Sequence, residues 1–113
     1  MCIRDRIKSD FELQTVRAVG TAEHSVSKVA VACGSGGSFL AAAIRAGCDT
    51  FVTGEATFHT ALEAKANGVA MVLLSHHSSE RFAVESLATT LASEFSDTTV
   101  WASKDESDPL SWF

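Results

Sequence analysis

A chain of 113 residues with 46% apolar and 20% charged side chains has ordinary globular composition, and its length permits one domain whose core buries roughly two-thirds of the unfolded surface. The formal net charge of -5, with no cluster of Lys or Arg, argues against a nucleic-acid-binding surface, which needs cations facing phosphates. No apolar run approaches the roughly 20 residues of a membrane span and no segment reads as a signal peptide, so a cytoplasmic location is expected.

The first six residues, Met1-Cys2-Ile3-Arg4-Asp5-Arg6, resemble the translated adapter found at the start of many environmental reading frames. They are expected to be a non-native leader, leaving residues 7–113 as a single α/β domain. Residues 14–19 alternate weakly and predict an edge strand, and residues 21–27 read as a loop that leaves His24 at the surface. Residues 29–33 form a continuous apolar run, as in a strand covered on both faces. That run breaks at Gly34-Ser35-Gly36-Gly37. The next segment carries Phe39, Leu40, Ala43 and Ile44 on one helical stripe and stops at Gly47. A second unit repeats the order: a strand over 50–53, Gly54-Glu55, then a helix with Phe58, Ala61 and Leu62 inward, ending at Asn67-Gly68. The third comprises a strand over 69–74, the segment Ser75-His76-His77, and a longer helix with Val84, Leu87, Ala88, Leu91 and Phe95 as its buried stripe. A last strand is predicted over 98–102. After Asp108-Pro109, the tail residues Leu110, Trp112 and Phe113 are expected to pack back onto the body. Cys2, Cys33 and Cys48 show no C-x-x-C spacing and read as free thiols, the last two as small core residues.

Alternating strands and helices predict an α/β fold with a mostly parallel sheet, and such sheets collect ligands at the carboxyl edge of their strands. Three strand ends there are polar or glycine-rich: Gly34-Ser35-Gly36-Gly37, Thr53-Gly54-Glu55 and Ser75-His76-His77. His76 and Glu80 stand one helical turn apart at the third, where an imidazole and a carboxylate can close on a divalent cation. Glu55 and His59 share that spacing. They read either as groups that orient a ligand or relay protons, or as a helix-start carboxylate beside a surface histidine. The turn formed by Gly34, Ser35, Gly36 and Gly37 can present backbone N–H groups to a phosphate, or can simply permit a tight strand-to-helix turn. It has neither the P-loop nor the full dinucleotide pattern. His77 is expected to face away from the target of His76.

From about Gln14 to the end the chain resembles the C-terminal half of the Nif-three-like dinuclear metal-centre proteins, often named GTP cyclohydrolase 1 type 2 homologues. The matching segments run from Val29 through the glycine turn to Phe39, from Asp49 to Glu55 with His59 after it, from His76 to Glu80, and over Asp108-Pro109. The resemblance implies a three-layer α/β/α fold, a toroidal hexamer and two divalent metal ions held by five side chains. His76 and Glu80 match two of those ligands, Glu80 in a bridging position, while Glu55 and His59 match positions lining the same cavity. The other three ligands belong to an N-terminal half that this sequence does not contain. Two departures stand out: Ser75 occupies a position that is usually glycine, and His77 one that is usually aromatic. The implied activity is that of a metal-dependent hydrolase-like protein, and the glycine turn is where a phosphate-bearing small molecule would be faced. The alternative is a metal-stabilised regulatory or scaffold protein, and the fragment alone is expected to bind metal weakly. Zn, Mn, Fe and Mg all suit such ligands.

Overall fold

A computed structural model describes residues 2–113. Helix α1 (Ile3–Asp10) leads into strand β1 (Arg17–Val19) and strand β2 (Val29–Ala32). A 3₁₀ turn (Gly36–Phe39) runs directly into helix α2 (Leu40–Arg45), followed by β3 (Thr50–Thr53), α3 (Phe58–Ala66), β4 (Ala70–Leu73) and α4 (His76–Glu94). The four strands form one sheet in the order β1-β4-β3-β2. Strands β2, β3 and β4 are parallel, and β1 closes one edge antiparallel to β4.

The two central strands explain the core. Every residue of β3 and β4 is buried, which matches their apolar runs, and alternate residues serve opposite faces of the sheet. Phe51, Met71 and Leu73 pack with Leu40 and Ala43 of α2 and Ala64 of α3. Val52, Val72 and Leu74 pack with Ile7 of α1 on the other side. The result is three layers, with helices on both faces of a mostly parallel sheet. Residues 1–6, expected as a leader, enter α1 from Ile3 onward, and Ile3 packs beside the Ile7 cluster. Met1 lies outside the described residues.

Asp49 ties the entrance of the sheet together. Its Oδ2 accepts the backbone N–H groups of Ser27 and Lys28, each at 2.9 Å, and its Oδ1 accepts the Thr50 hydroxyl at 2.8 Å. The Thr50 hydroxyl, then the Lys28 amide, hold its carboxyl below the usual aspartate range. A depressed folded pKa stabilises the fold above the unfolded value of about 3.9, and that stabilisation disappears as pH falls through the folded value. Asp49→Asn should therefore flatten the acid limb of a stability-versus-pH curve, and an unchanged limb would exclude Asp49 as a contributor.

Several expected elements fold differently. Residues 98–102 form no strand despite their β-branched content. The 19 residues of α4 carry the chain roughly 28 Å along its axis, so the next segment starts far from any strand edge and returns along the helix. Arg81 holds it there, donating to the Ser103 carbonyl and pairing with Glu106 at 3.3 Å. The apolar stripe of α4 is not buried. Val84, Leu87, Leu91 and Phe95 are all exposed, and Ser79 is the buried residue of the helix. The early turns of α4 meet the body through Ser79 and through Phe82, whose ring stands edge-on to Phe11. The radius of gyration, 16.0 Å, exceeds the roughly 13 Å of a compact chain of this length.

In α3 the small Ala64 faces the core, while Phe58 and Leu62, expected inward, are exposed. Phe39 is likewise exposed, although Leu40 and Ala43 face inward as predicted. Cys33 is exposed because β2 is the outer edge strand, whereas Cys48 packs against the core. His24 is half-buried rather than at the surface, with its Nε2 2.9 Å from the Asp49 carbonyl. Leu110, Trp112 and Phe113 are largely exposed and do not join the core. Among the described residues, no helix is long and apolar enough to cross a membrane.

A candidate metal site at the strand ends

The strand ends are bonded to one another beyond the last sheet residue. Leu74 N–H donates to the Thr53 carbonyl at 3.0 Å, Ser75 N–H to Gly54 at 2.9 Å, and Glu55 N–H to Gly34 at 3.0 Å. These bonds set the separation of the three loops before any side chain acts. Helix α4 starts at once, with the Ser75 hydroxyl accepting the Ser78 N–H as an N-cap. One turn in, the buried Ser79 hydroxyl accepts the Gly34 N–H at 2.8 Å and donates to the His76 carbonyl at 2.8 Å. Ser79 thus joins the glycine turn to the histidine segment. Replacing it by Ala strands a buried N–H, a loss of about 1–3 kcal/mol. Urea denaturation of Ser79→Ala checks this, and an unaltered midpoint would mean that Gly34 finds another acceptor.

The histidine is held from both sides. His76 Nδ1 lies 2.7 Å from Glu55 Oε1, and Nε2 lies 3.3 Å from Glu80 Oε1. Ser35 donates its hydroxyl to the same Glu55 oxygen at 2.5 Å. Hydrogen bonds from His76 and then Ser35 lower the Glu55 pKa. The His76 pKa is raised, first by the hydrogen bond to Glu55 and further by the charge of Glu80 against an opposing desolvation.

Two donors each about 2.1 Å from one tetrahedral or octahedral cation sit roughly 3.0–3.4 Å apart. The Nε2–Oε1 separation of 3.3 Å falls in that range. Gly34 keeps the space beside this pair open: a Cβ there would stand 2.4 Å from Glu80 Oε1 and 3.1 Å from His76 Nε2. With Nδ1 against a carboxylate, Nε2 is the nitrogen left for a metal, the usual carboxylate–histidine arrangement. Both side chains are about half exposed, so a cation has access. Among the described residues, no three His, Cys, Asp or Glu side chains converge on one cation position. The chain offers a pair of ligands, and the pair fits a divalent metal.

Of the predicted site residues, Glu55, His76 and Glu80 come together. His59 does not join them: it is exposed, and its ring stands edge-on to Phe58 at 5.8 Å. His77 Nε2 is 3.4 Å from Glu106 Oε1 without a hydrogen-bonding alignment, away from the partners of His76. The donors of the glycine turn are partly spent, since Gly34 N–H is taken by Ser79 and the Ser35 hydroxyl by Glu55. Gly36 is required by packing, because a Cβ would come within 2.4 Å of Thr53 Oγ1 and 2.8 Å of the Ala32 Cβ. Residues that the sequence did not single out are Ser79 and Arg17. Arg17 lines cavities on both sides of Glu55, and nothing in the weak alternation of residues 14–19 marks it.

The sequence profile of the Duf34/NIF3 (NGG1p interacting factor 3) family matches residues 2–109. The chain is 34% identical over 110 residues to a GTP cyclohydrolase 1 type 2 homolog of Staphylococcus aureus, covering 94% of this chain and 30% of that protein. A second protein of that name, from Halalkalibacterium halodurans, is 33% identical, with 95% and 30% covered. The chain thus spans about 30% of the length of these curated relatives. Among solved structures, Staphylococcus aureus protein SA1388 superposes with a TM-score of 0.88 at 33% identity, covering 100% of this chain and 39% of that one. A Bacillus cereus protein related to NIF3 gives a TM-score of 0.79 at 25% identity, with 97% and 31% covered. A family match over nearly the whole chain, on a shared three-layer fold, leaves one conclusion: the chain belongs to the Duf34/NIF3 family.

Proposed function

We propose that His76 and Glu80 are two ligands of a divalent metal centre, and that the protein is hydrolase-like and metal-dependent when its ligand set is complete. The observation that carries this is the 3.3 Å approach of His76 Nε2 to Glu80 Oε1 beside a gap that a Cβ at Gly34 would fill. A divalent cation supplies Lewis acidity and a nucleophile at neutral pH. The chain's own residues do the rest: Glu55 fixes the tautomer and tilt of His76, and Ser35 fixes Glu55. Two ions per complete subunit, a hexameric assembly and a cytoplasmic location belong to the same reading. The name of the relatives, GTP cyclohydrolase 1 type 2 homolog, supports a hydrolytic reaction.

Metal stoichiometry after equilibrium dialysis against Zn or Mn tests the reading directly. His76→Ala should abolish the bound ion. Glu55→Gln should keep the stoichiometry but weaken affinity by about 10–100-fold, the usual effect of removing a histidine's outer carboxylate. Unchanged metal content in His76→Ala would sink the proposal. The exposed apolar stripe of α4 favours a second reading, a metal-stabilised scaffold. Chelator-sensitive turnover of nucleotides separates the two, because a scaffold would show none.

A further inference from the structure

Glu55 stands between two cavities, of about 370 Å³ and 320 Å³, and Arg17 lines both. Arg17 ends up there because β1 is antiparallel to β4 and pairs it with Leu73, two residues before the α4 N-cap. Two carboxylates share these cavities, and each already has partners within the protein. Glu55 is bound by His76 and Ser35. Asp108 accepts the Leu110 N–H at 2.9 Å and the Ser75 hydroxyl at 3.4 Å. The exposed guanidinium of Arg17, by contrast, makes no hydrogen bond or ion pair among the described residues, although its charge helps to lower the Glu55 pKa. An unpaired guanidinium in a lined cavity is suited to bidentate contact with an oxyanion, a geometry that Lys does not reproduce. The first cavity adds the hydroxyls of Ser38 and Thr57. The second is walled by Leu110 and Trp112 beside His76, with the indole offering a flat apolar face.

We infer that Arg17 anchors the phosphate of a small phosphate ester whose apolar, planar part lies against Trp112, placing the ester beside His76. The inference rests on the proposed reading of the site only for the fate of the ligand, not for its binding. It also moves phosphate recognition from the glycine turn, whose donors are partly engaged, to a strand residue that lines the same cavity as Ser35 and Gly37.

Calorimetric titration of the whole chain with inorganic phosphate and with phenyl phosphate, each with and without a chelator, tests it. Arg17→Ala should weaken both probes about tenfold, in line with losing a charged hydrogen-bonding pair, and Arg17→Lys should recover only part of that. Trp112→Ala should weaken phenyl phosphate and leave inorganic phosphate unchanged. Equal binding by wild type and Arg17→Ala, or no binding by either, would overturn the inference. Arg17-dependent binding that persists in chelator, alongside unchanged metal content in His76→Ala, would remove the metal reading and leave this one standing.

Discussion

Gly54→Ala is expected to destabilise the fold by about 3 kcal/mol, the upper part of the range for forcing extra volume into a packed interior. A Cβ at this position would stand 2.6 Å from the Gly34 carbonyl, 2.8 Å from the Ser75 carbonyl and 2.5 Å from Ser79 Oγ. Two of the three obstacles are backbone atoms, which cannot swing aside as a side-chain end can. They also belong to the two loops bonded to residues 54 and 55, so separating them breaks the Ser75–Gly54 and Glu55–Gly34 hydrogen bonds. The candidate metal pair would then lose its spacing along with the stability. Guanidinium denaturation of Gly54→Ala gives the size of the effect. Gly68→Ala is the control, since nothing lies within 4 Å of its Cβ position and only its positive φ of 68° is strained, a cost of about 1 kcal/mol. Equal midpoints for the two variants would mean that the strand ends are not tightly packed.

Ser75→Gly is expected to act in the opposite direction, stabilising by about 1–2 kcal/mol. Ser75 sits at φ 107° and ψ 158°, a region that only glycine enters without strain. The strain amounts to about 1–3 kcal/mol, whereas exchanging a serine N-cap for glycine costs only a few tenths. Ser75→Ala keeps the strain and loses the cap, so it should be about 1 kcal/mol less stable than the parent. Thermal unfolding of the pair decides the sign. A lower midpoint for Ser75→Gly would show that the hydroxyl's bonds to Ser78 and Asp108 outweigh the backbone strain. The Ser75 hydroxyl connects the tail at Asp108 to the start of α4.

The sequence by itself determined the central parallel strands and which loops meet at their carboxyl ends. The apolar runs of β3 and β4 are buried on both faces as their composition implies, whereas the equally apolar run of β2, expected to be covered on both faces, forms the sheet edge and leaves Val29 and Val31 exposed. The same reasoning places Glu55, His76 and Glu80 at one edge, where the structure brings them together. Tertiary structure alone decided the rest. Helical periodicity reports which residues share a face, not whether another layer covers it, and so the stripe from Val84 to Phe95 reads as core yet lies exposed. Likewise β-branched composition over 98–102 cannot form a strand where no sheet edge is within reach. The connections through Ser79 and Arg17 escaped because they join residues 45 and 56 positions apart, Gly34 to Ser79 and Arg17 to Leu73. No local pattern encodes such a pairing. It exists only once the sheet has fixed which strand ends are neighbours.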